Sequence, residues 1–245
     1  MSLRTPLTLV AALLIVFSAA ASARPTAENP LMGVLARAEL TGVRSLVRAG
    51  RYKEARQILT PQLRAGADEI ALVSLARRLE VVEGFYPELD AGLGRSERAL
   101  HGAISDFLHG RDREALLRAS YALSLPVAAA DMDPFLTRLE EITGVKAERL
   151  DPDLRMDLHE KKLEETKVFF ESGRFDEVIR LCDELLLLVP RYPTALSRRG
   201  SALYLQQNYS KARDAWRHAL AVENRQDERA ALIYMIRRVN RKLGG

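Results

Sequence analysis

Gly173-Arg174-Phe175-Asp176-Glu177-Val178 and Gln207-Asn208-Tyr209-Ser210-Lys211-Ala212 are two copies of one turn, 34 residues apart. The same offset joins Val178 to Ala212, Cys182 to Trp216, Leu186 to Leu220 and Pro190 to Asn224. A fixed period of this length is the mark of stacked repeats, in which each unit buries its apolar face only against its neighbours. Each paired position has a physical role. A turn residue, Gly173 or Asn208, lets the chain leave one helix at a positive φ, which Gly and Asn tolerate. Phe175 and Tyr209 pack under that turn. The small residues Gly200 and Ala212 let two helices approach, Cys182 and Trp216 fill the next gap, and Pro190 stops the second helix.

These residues resemble a tandem tetratricopeptide repeat running from His159 to Asn224. In the second copy Leu196, Gly200, Tyr209, Ala212, Trp216 and Ala219 fall on consensus-like positions. The first copy departs at Thr166, where a Gly or Ala is usual, and at Val178, where Ala is usual. The resemblance implies an all-α fold: a TPR-like right-handed superhelical solenoid of antiparallel helix pairs with a C-terminal capping helix. Residues 151–225 would form two tandem units, with Asp151-Pro152 opening the first helix.

Upstream, the turn recurs in weaker form. Gly50-Arg51-Tyr52-Lys53-Glu54-Ala55 copies it, and Gly110-Arg111-Asp112-Arg113-Glu114-Ala115 resembles it. Residues 34–150 therefore read as a degenerate TPR-like region. A first helical hairpin spans Val34 to Leu63. Ala36, Leu40, Val43 and Val47 form the inward stripe of its first helix, and Ala55, Ile58 and Leu59 that of its second. A second hairpin runs from Ser96, its cap, to His109 and from Arg113 to Leu125, with Ala115, Ala119 and Ala122 as a close-packing face. The turns are 60 and 63 residues apart, so the strict period fails and extra helices intervene. One runs from Asp68 to about Glu83, with Ile70, Val73, Leu75, Leu79 and Val82 apolar, and Gly84 to Gly94 forms a loop. The other opens at Asp133-Pro134, a cap followed by proline at the first helical position, and ends near Gly144.

The termini carry separate signals. Residues 1–23 read as an export signal: Arg4 in the head, an apolar run from Leu7 to Phe17, and Ala21-Ser22-Ala23 as the cleavage pattern before Arg24. An uncleaved anchor is the alternative, although the core is short for a spanning helix. Export would place the chain in the periplasm, either free or associated with the membrane. Residues 24–33 form a lead broken by Pro25, Asn29, Pro30 and Gly33. In residues 226–245 a helix from Asp227 to Leu243 carries a stripe of Leu232, Met235, Ile236, Val239 and Leu243. Its outer face bears Arg229, Arg237, Arg238, Arg241 and Lys242. A terminal cap with one polar face is the plain reading; an electrostatic foot for acidic headgroups or an acidic partner is the alternative.

Composition narrows the function classes. The 37 basic residues are interspersed with 33 acidic ones, a salted helical surface and not a polyanion-binding block, so no nucleic-acid partner is expected. Cys182 is the only cysteine, so no internal disulfide forms, and its repeat position suits a small buried hydrophobe. No catalytic motif emerges. The histidines at 101, 109, 159 and 218 are scattered, and His159-Glu160-Lys161-Lys162-Leu163 lacks the second His of a zinc motif. Asp131 and Asp133 lack the rest of a calcium loop. Gly92-Leu93-Gly94-Arg95-Ser96 lacks the Lys-Ser/Thr end of a phosphate loop. No cofactor or metal is expected.

Function is then expected from surface. The resemblance implies that first helices line a groove for a peptide or a partner's helix. Carried onto this chain, the groove residues are Leu163, Lys167, Phe170 and Glu171, then Ser197, Ser201, Tyr204 and Leu205. Phe170 and Leu205 alternatively pack between helices. Leu163 and Glu164 do not match a carboxylate clamp, so capture of an acidic C-terminal tail is not implied. The expected role is a non-enzymatic scaffold or assembly factor of a cell-envelope machine serving motility, pili, secretion or polysaccharide export. The alternatives are an accessory subunit of a cell-wall enzyme, or a peripheral membrane adaptor using the basic helix.

Overall fold

The computed structural model describes residues 31, 33–37, 40–64, 70–90, 94–126, 131–151 and 156–244. The expected signal (1–23), the lead up to residue 30, Asp68, Gly92, Leu93 and Pro152 lie outside them. The described residues form eleven α-helices, with no strand among them. These are α1 Thr41–Arg48, α2 Tyr52–Arg64, α3 Ile70–Phe85, α4 Arg95–Leu108, α5 Asp112–Ser124 and α6 Met132–Thr143. After them come α7 Leu158–Glu171, α8 Phe175–Leu188, α9 Pro193–Leu205, α10 Tyr209–Val222 and α11 Gln226–Lys242. Sequential helices pack on one another: α1 on α2, α4 on α5, α7 on α8 and α9 on α10 within the pairs, and α2 on α3, α8 on α9 and α10 on α11 between them.

One turn joins each pair. The residue after the first helix has φ of 75° at Gly50, 76° at Gly110, 74° at Gly173 and 62° at Gln207. In each turn its N–H reaches the carbonyl three residues back, and the next N–H reaches the carbonyl five back. At Gly173 these are Phe170 O (3.2 Å) and Arg174 N to Phe169 O (2.9 Å); at Gln207, Tyr204 O and Asn208 N to Leu203 O, both 2.9 Å. This two-bond closure satisfies carbonyls that a helix end leaves unpaired. The left-handed residue of the last turn is Gln207 and not Asn208, whose φ is −83°. Gln207 is the residue 34 positions after Gly173, so the repeat register placed it better than residue preference did.

The packing behind the turns follows the repeat. Ala55, Ala115, Val178 and Ala212, each five residues past the turn, are fully buried. A Cβ on Gly200 would lie 2.6 Å from the Trp216 ring, so glycine is what admits the indole there. In the preceding unit the equivalent residues are Thr166 and Cys182, both fully buried. A larger residue on the first helix is matched by a smaller one on the second. Thr166 Oγ1 and the Leu163 carbonyl (2.8 Å) both accept from Arg198 of α9, which ties the two units together.

The 60- and 63-residue intervals arise in the connections alone. α8 and α9 are joined by 4 residues, α5 and α7 by 33, and the difference of 29 equals the excess of 63 over 34. α2 and α4 are separated by 30 residues, and the difference of 26 equals the excess of 60 over 34. From one turn to the next the helices themselves therefore keep their length, although α1, with 8 residues, is shorter than the first helices α4, α7 and α9, with 14, 14 and 13. α5 packs directly on α7 and α8, so the stack passes α6 by. α3 and α6, the interrupting helices, meet through an aromatic cluster: Phe135 lies 5.5 Å from Phe85 and 5.3 Å from Tyr86, ring centre to ring centre.

Several expected boundaries and faces shift. The first hairpin begins at Thr41; Val34–Ala36 is a 3-10 turn and Ala36 is exposed. Ile58, Ile70 and Val73 are exposed, Ile70 by 76%, while Leu75, Leu79 and Val82 are fully buried. α3 is apolar almost all the way round, so periodicity does not choose its inward side. It also runs on to Phe85, past the expected loop start at Gly84. α4 begins before Ser96, whose hydroxyl donates to the Ala122 carbonyl at 3.3 Å instead of capping. α6 begins at Met132, and Asp133 accepts from Arg149 at 3.1 Å. α7 begins at Leu158 and not at Asp151-Pro152. Its cap is a reciprocal box in which Asp157 accepts from the Glu160 N–H (2.9 Å) and Glu160 from the Asp157 N–H (3.3 Å).

Candidate functional site

Three first helices, α7, α9 and α11, line one recess of about 350 Å³. α7 contributes Lys167, Phe170 and Glu171, and α9 contributes Pro193, Thr194, Ser197, Arg198 and Ser201. α11 contributes Glu228 and Leu232, and the α10–α11 connection contributes Glu223 and Arg225. Helical geometry explains the gathering: Lys167 and Glu171, and Ser197 and Ser201, are four residues apart and share a face.

Of the eight expected groove residues, Lys167, Phe170, Glu171, Ser197 and Ser201 line this recess. Lys167 and Glu171 are exposed, whereas Phe170 is half-buried and meets Phe175 edge-on at 5.6 Å. Ser201 bonds the Ser197 carbonyl at 3.1 Å. The other three stand elsewhere. Leu163 is half-buried, and its carbonyl takes the Arg198 guanidinium. Tyr204 packs against Tyr209 and Trp216, at 5.3 and 5.7 Å, and carries the Arg238 guanidinium over its ring at 5.6 Å. Leu205 is 49% exposed but does not line the recess. Both sit near the end of α9, where the pair closes over its own turn.

Part of the rim is built from charges already committed to structure. Glu223 is buried; one of its oxygens accepts from the Asn224 and Arg225 N–H groups, both at 2.9 Å, and the Arg225 guanidinium adds a further bond. The Arg225 side chain and those two N–H groups hold the Glu223 carboxyl below its usual range. Glu223 and Arg225 escaped the sequence reading because they belong to a loop. Glu228 and Leu232 had a signal: Pro193 plus 34 is Asp227, so α11 occupies the place of the next first helix.

Of the expected basic patch, Arg237, Arg238, Arg241 and Lys242 are exposed. Arg229 belongs elsewhere. It is half-buried and donates to the Leu220 and Glu223 carbonyls, both at 2.7 Å, capping α10.

Other polar groups are structural by their contacts. Lys162 is buried between Glu148 (2.8 Å) and Glu184 (2.7 Å), joining the segment after α6 to α7 and α8. Burial opposes ionisation of Glu148, but Lys161 and Lys162 outweigh it and hold its carboxyl below the usual range. Arg149 (2.6 Å), with the Ala147 N–H (2.7 Å) and Lys146, pulls Glu140 down to about 2. Burial pushes the Cys182 thiol up to about 12. Burial also lowers the His159 imidazole, which rests against Tyr192. A recess of about 820 Å³ is lined by Gly94, Pro126 and Met156, each next in sequence to residues outside the described ones, so its size carries no argument.

Among the described residues no group of three or more His, Cys, Asp or Glu could hold a metal ion. Among them, too, no helix is long and apolar enough to cross a membrane. Compared with known proteins, the chain matches no family model, no curated sequence and no solved structure.

Proposed function

We propose that this chain is a tetratricopeptide-type solenoid acting as a non-enzymatic adaptor, with the α7–α9–α11 recess as its docking groove for a segment of another polypeptide. The observation that carries the reading is the convergence of three successive first helices on one concavity. It is floored by Leu232 and Phe170 and edged by the exposed pair Lys167 and Glu171. An apolar floor with a polar rim suits an amphipathic helix or extended segment: apolar anchors supply the affinity and charges at the edge fix the register. The four identical turns and the size-matched pairs Gly200–Trp216 and Thr166–Cys182 support the repeat assignment.

The N-terminal signal pattern supports work in the cell envelope, where the adaptor would hold components of a larger assembly together. The test is in-cell photo-crosslinking with the reactive residue at Lys167 or Ser201, and at His218 on α10 as control. A common set of envelope proteins captured from both groove positions and not from His218 is the expected result. The charge exchange Lys167→Glu with Glu171→Lys should deplete that set without loss of helicity. Equal capture from all three positions would remove the groove as the docking site. Recovery of the chain in the cytoplasm with residues 1–23 intact would remove the envelope.

A further inference from the structure

Each earlier first helix is covered by its own second helix: α1 by α2, α4 by α5, α7 by α8 and α9 by α10. α11 stands in the place of a first helix and packs on α10, with no second helix after it within the described residues. Its inner side is set by Leu232 and Val239, both buried. The opposite side is a stripe at alternating steps of three and four residues: Asp227, Ala230, Tyr234, Arg237 and Arg241, with Ala231 beside Ala230. All six are exposed, Tyr234 by 59%, with Ile233 at its flank exposed by 38%. Neither Asp227, Arg237 nor Arg241 forms an ion pair among the described residues. The stripe is acidic at one end, aromatic at the centre and basic at the other end.

We propose that α11 is a homotypic docking helix whose outward stripe pairs antiparallel with the same stripe of a second copy. A two-fold axis at Tyr234 brings residues whose numbers add to twice 234 opposite one another. Arg241 then faces Asp227 of the second copy, and Arg237 faces Ala231. The alanines let the two helices approach, the tyrosines stack at the axis, and both ends are charge-matched. A parallel pair would set Arg241 against Arg241 and Asp227 against Asp227, so charge selects the direction. The same pattern disfavours an anionic membrane, because a helix lying on it would press Asp227 against headgroups of its own sign. The pairing is isologous, as closed two-fold dimers require. One helix per copy makes a small interface, so the association is weak. The groove residues Glu228 and Leu232 lie on another side of α11 and stay open.

The test combines sedimentation with directed crosslinking of the purified chain. Sedimentation should shift from monomer toward dimer as concentration rises. Arg241→Asp or Asp227→Arg alone should weaken dimerisation about tenfold or more, and the two together should restore it. Cys182 is fully buried, which leaves engineered thiols as the accessible ones. Tyr234→Cys should then crosslink to itself. Asp227→Cys should crosslink to Arg241→Cys in a mixture, and neither should crosslink to itself. A monomer at every soluble concentration, with no crosslink at Tyr234→Cys, overturns the proposal. Self-crosslinking of Asp227→Cys overturns it equally, as does monomeric binding to phosphatidylglycerol vesicles that is lost in Arg237→Glu.

Discussion

Replacing Gly200 by alanine should destabilise this protein, although the same change in an ordinary helix stabilises it. Gly200 is interior to α9, where alanine is worth about 1 kcal/mol over glycine. Against that gain, the new methyl would stand 2.6 Å from Trp216 Cδ1 and Nε1 and 3.0 Å from Cγ. The indole is buried, and its N–H donates to the Ser197 carbonyl at 3.2 Å, so it cannot swing into solvent without loss. Overpacking of this kind costs about 1–3 kcal/mol, and breaking the indole hydrogen bond costs about 1 kcal/mol more. The sum is a net loss of about 1–3 kcal/mol, or a fall in Tm of roughly 3–10 °C for a chain of this length. Trp216 is the only tryptophan, so fluorescence-monitored denaturation reports from the perturbed site. A sharper version transplants the preceding unit's pair as Gly200→Thr with Trp216→Cys. Each single change should cost several kcal/mol, by collision or by cavity, and the double change should cost at least about 1 kcal/mol less than the sum. An alanine variant as stable as the parent, or strict additivity in the double, would refute the size-matching argument.

Gln207→Gly should raise stability by about 1 kcal/mol, since among the described residues Gln207 alone holds the left-handed turn conformation without being glycine. Thermal melts read this directly, and an unchanged or lowered Tm would count against the turn assignment. Gly50→Ala should lower the Tm more than Gly173→Ala, because its Cβ would lie 2.1 Å from the Leu89 carbonyl oxygen, whereas nothing stands within 4 Å of a Cβ at Gly173. Acid titration supplies a further check. Glu140 falls from an ordinary value of about 4.3 to about 2 in the folded chain. A carboxylate lowered by folding adds stability that is complete above its unfolded value and is lost as pH drops through the folded one. The parent should therefore lose part of its stability between about pH 4.3 and pH 2, and Glu140→Gln should flatten that portion of the curve. An unchanged slope in the variant would mean that Arg149 and the Ala147 N–H do not hold the carboxylate as described.

The helix pairs were legible wherever the turn carried its residues: glycine at 50, 110 and 173, and an alanine or valine five positions on. Asp112 stands where Tyr52, Phe175 and Tyr209 stand in the other turns, and it pairs with buried Arg78. That guanidinium also covers the Phe107 ring at 4.5 Å. The second turn thus trades a packed aromatic for an ion pair, which no apolar pattern announces. The α7 boundary was misread because an Asp-Pro dipeptide and an Asp-x-x-Glu box compete as start signals within a few residues. The groove was legible at Lys167, Phe170 and Glu171 of α7 and at Ser197 and Ser201 of α9, where helical spacing alone fixes the face. It failed at Leu163, whose carbonyl takes Arg198, at Tyr204, which packs on Tyr209 and Trp216, and at Leu205, which is exposed away from the recess. Arg229 was misassigned because a charge count does not show that a guanidinium is spent on backbone carbonyls.

The broken period has one physical cause. A repeat unit cannot cover its own outer face, so each pair needs a neighbour of the same shape. α3 and α6 are placed between pairs without changing the pairs, and α5 still packs on α7 and α8. What α3 and α6 add is a contact with each other, through Phe85, Tyr86 and Phe135, at the side of the stack. The 26 and 29 additional residues are therefore coupled insertions: Phe135 finds its aromatic partners only because the end of α3 lies beside it. The upstream pairs, of which α1–α2 has a first helix of only 8 residues, are braced from the side, and one core of buried residues accordingly runs from Leu31 to Leu158, while two smaller clusters serve α7 to α11. The recess between α7, α9 and α11 and the exposed stripe of α11 both lie outside that braced core, on the described part of the stack that carries no interrupting helix.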